Sequence, residues 1–248
     1  GCGEVPRNLL RLYVEFSAPM SEGQASTHLA LVDEEGGELA HALLVVEDEL
    51  WDRDRRRLTV LLDPARIKRG LVPHRELGYP LRRGETFSVE VGEGFLDATG
   101  APLRCGASRR YIVGPDERRR VDPGGWIVRT PRVGTVDPLT VGFDRPLDSA
   151  LVQRCLSVVA AGRRLQGSGR VGSESLEWSF RPERRWEDAP HRLSVDQRLE
   201  DVAGNSVASV FDRDLSTVDP SASGGRSVGK GRSGGEVVVV FRPRRARP

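Results

Sequence analysis

Cysteine is scarce in this chain. There are three, Cys2, Cys105 and Cys155, widely and unequally spaced. An odd, dispersed set excludes a disulfide scaffold and a zinc site, both of which need cysteines in paired, patterned intervals. Cys105 and Cys155 fall in different halves, so buried free thiols are the expected state. Histidine is equally thin: His28, His41, His74 and His191 form no metal-binding pair of the His-x3-His kind. Long hydrophobic runs are missing. The strongest, 237–241, spans five residues, far below the roughly 20 that a spanning helix needs. No apolar leader precedes Gly1 and Cys2, so the lipoprotein reading of Cys2 is secondary to a chain that starts mid-sequence, with further domains upstream. No serine or cysteine is matched by spacing to an oriented base, and no carboxylate pair stands out among 36 acids. Catalytic, cofactor-binding and metal-binding residues are therefore expected to be none.

Overall charge is nearly balanced, at +2. It is unevenly spread. Residues 226–248 hold seven Lys/Arg and one acid, which leaves 31 basic and 35 acidic side chains to the other 225 residues. A mildly acidic body with a basic end makes the whole-chain charge a poor guide to partners. The basic end has only Phe241 for base stacking, so no nucleic-acid partner is expected. The segment from Gly225 to Gly231 is superficially like a phosphate loop. It lacks the glycine spacing, the Ser/Thr for magnesium and the following helix.

What is present is a repeated grammar. Residues 10–21 read LRLYVEFSAPMS, with Leu10, Leu12, Val14 and Phe16 alternating before Pro19 ends the pattern. Residues 138–149 read PLTVGFDRPLDS, and Leu139, Val141, Phe143 and Pro146 repeat the arrangement. Three further blocks recur in the same order. Leu176, Trp178 and Phe180 answer Leu58, Val60 and Leu62; Leu193-Ser194-Val195 answers Phe87-Ser88-Val89. The turn from Leu199 to Gly204 answers that from Phe95 to Gly100, with Asp201 and Gly204 matching Asp97 and Gly100. Collinear blocks of this kind indicate a duplicated domain. Val210 and Phe211 stand where the second copy's closing strand is expected, as 110–113 does in the first.

Between the strands lie turn signals such as Asp33 to Gly37 and Asp52 to Arg55. Residues 65–84 have no sustained period and read as a long loop with a short helical turn at most. Residues 115–124, charged and carrying two prolines, read as a linker. Short strands punctuated this often indicate antiparallel sandwiches. The expected fold is all-β: two tandem immunoglobulin-like antiparallel sandwiches, at 5–114 and 125–217. A flexible Gly/Ser/Arg-rich basic tail at 218–248 follows. The run 236–241 (EVVVVF) suits an edge strand or an exposed, adhesive segment.

The repeated segments resemble the bacterial Ig-like domains of the SbsA type. The opening pattern of that family is matched by Tyr13-Val14-Glu15-Phe16-Ser17-Ala18-Pro19-Met20, and its closing pattern by Leu199-Glu200-Asp201-Val202-Ala203-Gly204-Asn205. The first copy departs at the close, with Thr99 for Ala203 and Ala101 for Asn205. The second departs at the opening, with Asp144-Arg145-Pro146-Leu147. The resemblance implies a sandwich fold and an extracytoplasmic location: secreted, periplasmic or at the cell surface. It names no catalytic residue. Phe16, Pro19, Asp97, Gly100, Phe143, Pro146, Asp201, Gly204 and Asn205 are accordingly structural.

Two binding features compete with that reading. Asp201 with Asn205 offers oxygens to calcium, against a turn-capping role; the acids Glu47, Asp48, Glu49, Asp52 and Asp54 form a second acidic patch. Trp178 alternates with Leu176 and Phe180 and belongs to the core. Trp51 and Trp186 lie near strand ends and are the candidate ligand-facing aromatics. The expected function is a non-enzymatic spacer, scaffold or adhesion module. The alternative is a module that binds a cell-surface glycan or protein through 65–84 and Trp51 or Trp186.

Overall fold

A computed structural model describes residues 3–44, 48–212 and 235–245. The chain forms two compact units. Unit 1 comprises 3–118 with 202–204 and 211–212; unit 2 comprises 119–201, 205–210 and 235–245.

Unit 1 contains β1 (Gly3–Pro6), β2 (Arg11–Glu15), α1 (Ala25–His28), β3 (Leu29–Val32), β4 (Leu50–Trp51), β5 (Arg57–Leu61), α2 (Pro64–Ile67), α3 (Val72–Leu77), β6 (Thr86–Val91) and β7 (Ala107–Gly114). The strands make two sheets, ordered β1-β7-β6-β3 and β2-β5-β4. All pairings are antiparallel except that of β1 with β7. Alternation sets which residues face inward. Phe87, Val89 and Val91 of β6 and Leu58 and Val60 of β5 are buried. Two apolar clusters fill the unit. One is built around Leu31, Leu62, Leu81 and Phe87, the other around Met20, Leu58, Val60 and Phe95; Leu12 and Val14 pack against both.

Unit 2 contains β8 (Ile127–Arg129), β9 (Leu139–Gly142), α4 (Ser149–Cys155), β10 (Leu156–Ala160), β11 (Arg163–Arg164), β12 (Gly167–Val171), β13 (Glu177–Pro182), β14 (His191–Asp196) and β15 (Glu236–Phe241). Its sheets are ordered β12-β13-β9-β8 and β11-β10-β14-β15, with every pairing antiparallel. One core takes residues from both: Leu139, Val141, Trp178 and Phe180 from the first, Val158, Leu193, Val195 and Phe241 from the second.

β2 pairs with β5 as β9 pairs with β13, and β3 pairs with β6 as β10 pairs with β14. Several expectations need correction. Residues 65–84 carry two short helices rather than one turn at most: Asp63 caps α2 by accepting the Ala65 N–H at 2.8 Å, and α3 follows with proline in its first turn. The boundary between the units, after Arg118, falls within the stretch 115–124, and residues on both sides of it are held. Asn8 and the Glu117 backbone exchange two hydrogen bonds in unit 1, and Val121 is buried in the core of unit 2. The closing strand of unit 2 is β15, not the segment at Val210 and Phe211. Residues 236–241 take the edge-strand place that their sequence suits, while 218–234 and 246–248 of the expected tail lie outside the described residues. Leu176 precedes β13 at a turn where Glu174 and Ser175 take positive φ, and it is exposed instead of entering the core. Of the thiols, Cys155 is buried as expected but Cys105 is exposed, and Cys2 lies outside the described residues. Burial pushes the Cys155 thiol pKa upward.

Candidate functional site

The residues singled out by the two repeated motifs converge in each unit. In unit 1 the chain after Phe16 turns at Pro19, whose carbonyl accepts the Ala98 N–H at 2.9 Å. Met20 then bridges to Asp97, and the Ser21 hydroxyl donates to the Asp97 carbonyl at 2.7 Å. In unit 2 Leu147 bridges to Asp201, and the Asp148 N–H donates to the Glu200 carbonyl at 2.9 Å. Met20 and Leu147 occupy corresponding places and are both fully buried. The opening motif of each unit is thereby stitched to its closing motif.

The closing turns are built around their aspartates. The Asp97 Oδ1 accepts the Thr99 hydroxyl at 2.7 Å, the Thr99 N–H at 2.8 Å and the Ala101 N–H at 3.0 Å. These bonds, the Thr99 hydroxyl foremost, hold the Asp97 carboxyl below the usual carboxylate range. The Asp201 Oδ1 accepts the Asn205 N–H at 2.9 Å, and the Asn205 Nδ2 reaches Oδ2 at 3.0 Å. Thr99 in unit 1 therefore supplies the second side-chain donor that Asn205 supplies in unit 2. That explains how the first copy tolerates its departures from the closing pattern. Gly100 and Gly204 take φ of +85° and +81°, the left-handed region where a side chain is strained.

The departure at the opening of unit 2 also has a physical reason. Arg145, 7% exposed, donates to the Arg119 and Arg120 carbonyls at 3.1 and 2.8 Å and lies 3.5 Å from Asp201 Oδ2. Its guanidinium fixes the entry segment of the unit against the closing turn. Asp201 directs both oxygens to protein donors, as a turn-capping aspartate does. In the other acidic patch, Asp52 Oδ1 accepts the Arg56 N–H at 2.9 Å, and Glu49 accepts the Ala25 N–H at 2.5 Å and the Trp51 Nε1–H at 2.6 Å. Glu47 lies outside the described residues. Among the described residues no group of three His, Cys, Asp or Glu is placed to hold a metal ion.

Of the aromatic candidates, Trp186 is internal and Trp51 is half-buried. Trp186 is 2% exposed, donates its Nε1–H to the Asp137 carbonyl at 2.7 Å, and sits edge-on to Phe180, His191 and Phe241. Its place near a strand end is a place in the core. Trp51 is half-buried, with Phe16 at 5.6 Å and Phe95 at 6.1 Å between ring centroids. Phe16 itself is half-buried and Phe143 is buried against Trp126 at 4.8 Å. No stacking platform for a sugar is formed by Trp51 and Trp186.

Two polar clusters were not legible in the sequence. In unit 1 Arg7 and Arg118 both hold Asp116, at 2.7 and 3.0 Å. Arg118 also contacts Asp212 and the Tyr79 hydroxyl, and Arg69 reaches Asp212 at 3.0 Å. Burial by itself would raise the Asp116 carboxyl, but the hydrogen bonds from Arg7 and Arg118 outweigh it and hold the carboxyl below its usual range. The second cluster is Arg66, 8% exposed, whose guanidinium donates to the Gly78, Ala40, His41, Leu77 and Tyr79 carbonyls at 2.9 to 3.4 Å. Burial lowers its pKa. Arg66 organises 65–84 and backs a cleft of about 530 Å³ whose floor includes Leu81, Phe87 and Val113 and whose rim carries Glu35, Glu38 and Glu85. The only advance signal for either cluster is an arginine or aspartate inside a stretch otherwise read as loop.

No protein-family model matches the chain, and no curated protein matches it by sequence. Among solved structures it is similar to native alpha-2-macroglobulin from Escherichia coli spanning domains MG0-NIE-MG1. That likeness has 12% identity and a TM-score of 0.29, over 79% of this chain and 65% of that one. It is also similar to titin Ig tandem domains (9% identity, TM-score 0.25, 96% and 97% of the two chains) and to murine CEACAM1b (9%, 0.20, 78% and 86%). Superpositions this loose leave the reading of the fold to the strand order itself.

Proposed function

We propose that the chain is a pair of immunoglobulin-like sandwiches resembling the SbsA type. In this reading it is a non-enzymatic spacer, scaffold or adhesion module of a bacterial protein outside the cytoplasm. The observation that carries the reading is strand order. An immunoglobulin sandwich sets strands A, B, E and D in one sheet and C, F and G in the other. Unit 2 follows that order as β8-β9-β13-β12 and β10-β14-β15, with β11 added beside β10; unit 1 follows it as β2-β5-β4 and β3-β6-β7, with its first strand, β1, paired in parallel to β7 instead. The polar groups of both motifs are engaged in holding turns and joining motifs, which supports a structural assignment for them. The location is tested by fractionating the source cells and shaving intact ones with protease. The reading expects the protein outside the cytoplasmic fraction, and a purely cytoplasmic protein would refute it. A hydrolytic activity abolished by one carboxylate substitution would overturn the non-enzymatic assignment.

A second reading, attachment of a partner protein through 65–84, draws on one observation. Leu71, Val72 and Leu77 in and beside α3 are 43%, 54% and 58% exposed. Large apolar side chains exposed on one short element suit a protein surface. Pull-down from a cell-envelope extract with the native chain and with Val72→Asp/Leu77→Asp separates the two: the spacer reading expects identical profiles.

A further inference from the structure

β15 reaches its sheet by an unusual route. In unit 1, β6 ends at Val91 and β7, its neighbour, begins at Ala107. In unit 2 the corresponding β14 ends at Asp196, yet β15 begins at Glu236. Between them the chain makes the closing turn, contributes Phe211 and Asp212 to unit 1, and rejoins unit 2 at 235. No short hairpin ties β15 to β14. What holds it is the ladder and the core. Six residues pair in register from Asp196↔Glu236 to His191↔Phe241, Val237 and Val239 pack inward, and Phe241 stacks on His191 at 5.5 Å.

We propose that β15 is an exchangeable strand, and that the β14 edge of one copy accepts Glu236–Phe241 of a second copy. The second copy is the occupant because its strand presents the same inward Val237, Val239 and Phe241 in the same register. The strand is joined to the rest of its own chain through the 22 residues 213–234 and not by a tight hairpin. Its own edge meets it as an intramolecular partner, and a twin strand in another molecule competes as the protein concentration rises. Exchange makes and breaks the same hydrogen bonds, so concentration, not new contacts, sets the balance.

The test uses full-length chains with Cys2 and Cys105 changed to serine. One carries Ser194→Cys and the other Val238→Cys, positions directly opposite each other. Opposed residues in an antiparallel pair have Cα atoms about 4.5–5.5 Å apart, within disulfide range. The two are unfolded, mixed, refolded together at about 0.1 and 1 mM and oxidised. A covalent heterodimer is expected, its ratio to monomer rising about tenfold between those concentrations. A chain carrying both cysteines reports closure within one molecule. If that chain closes its own disulfide while the mixture yields no heterodimer, the proposal is overturned. Light scattering of the unmodified chain refolded at 1 mM is independent of how either variant folds: dimer supports exchange, and monomer alone overturns it.

Discussion

At the scale of single residues, the two closing turns share a backbone but differ in their surroundings, and that difference is measurable. A Cβ at Gly100 would meet nothing within 4 Å, whereas one at Gly204 would come 2.6 Å from Leu10 Cδ2 and 3.1 Å from Phe211 Cδ2. Both positions carry the strain of a left-handed side chain, about 1–2 kcal/mol. Gly204→Ala adds a steric clash and should destabilise clearly more than Gly100→Ala in urea unfolding; equal effects would contradict the packing described. Asp201→Ala should cost about 1–3 kcal/mol, because it leaves the buried Asn205 donors without their acceptor, while Arg145 keeps Asp144 at 3.4 Å and the Arg119 and Arg120 carbonyls. Its counterpart Asp97→Ala, at an exposed turn, should cost far less. Asp116 gives a pH signature. Its folded pKa is depressed, so its stabilisation is complete above the ordinary value near 4 and is lost as pH falls through the lower folded value. The chain should therefore lose stability below about pH 4, and Asp116→Asn should flatten that part of the profile while lowering stability at neutral pH.

At the scale of elements, the strands were legible where alternation and a stop residue coincide. Leu139, Val141, Phe143 and Pro146 announced β9 and the turn after it, and Phe87, Val89 and Val91 announced β6, because burial on one face leaves a period of two. Phe143→Ala should cost about 3–5 kcal/mol, as removal of a core aromatic does. Periodicity does not reveal what a buried arginine does. Arg66 turns 65–84 from an apparent loop into two short helices by satisfying five carbonyls, partners that lie up to 26 positions away. Trp186 was misplaced for a related reason. Proximity to a strand end says little about exposure when another element covers that end, and here the cover includes Phe241 from β15. Trp186→Ala should accordingly act on stability, lowering the unit 2 unfolding midpoint, with no specific effect on binding.

At the scale of the whole molecule, the long excursion before β15 concealed the closing strand of unit 2. Reading along the chain, Val210 and Phe211 were in the right place by analogy with unit 1, but Phe211 and Asp212 serve unit 1, where Arg69 and Arg118 hold Asp212. Dependence of unit 2 on a distant strand makes its stability separable from that of unit 1. Truncation after Asp212 removes β15 and uncovers the β14 edge, Leu193 and Val195, while every described residue of unit 1 remains. Losing Phe241, Val237 and Val239 from the core deletes more apolar burial than one large-to-small substitution, each of which costs about 2–5 kcal/mol. That approaches the total stability of an ordinary domain, about 5–15 kcal/mol. The truncated chain should therefore retain dispersed amide signals and slow hydrogen exchange for β2, β5 and β6. The signals of β9, β10, β13 and β14 should collapse or lose protection. Uniform retention of protection in both units would show that β15 is an accessory strand and not the one that completes the fold.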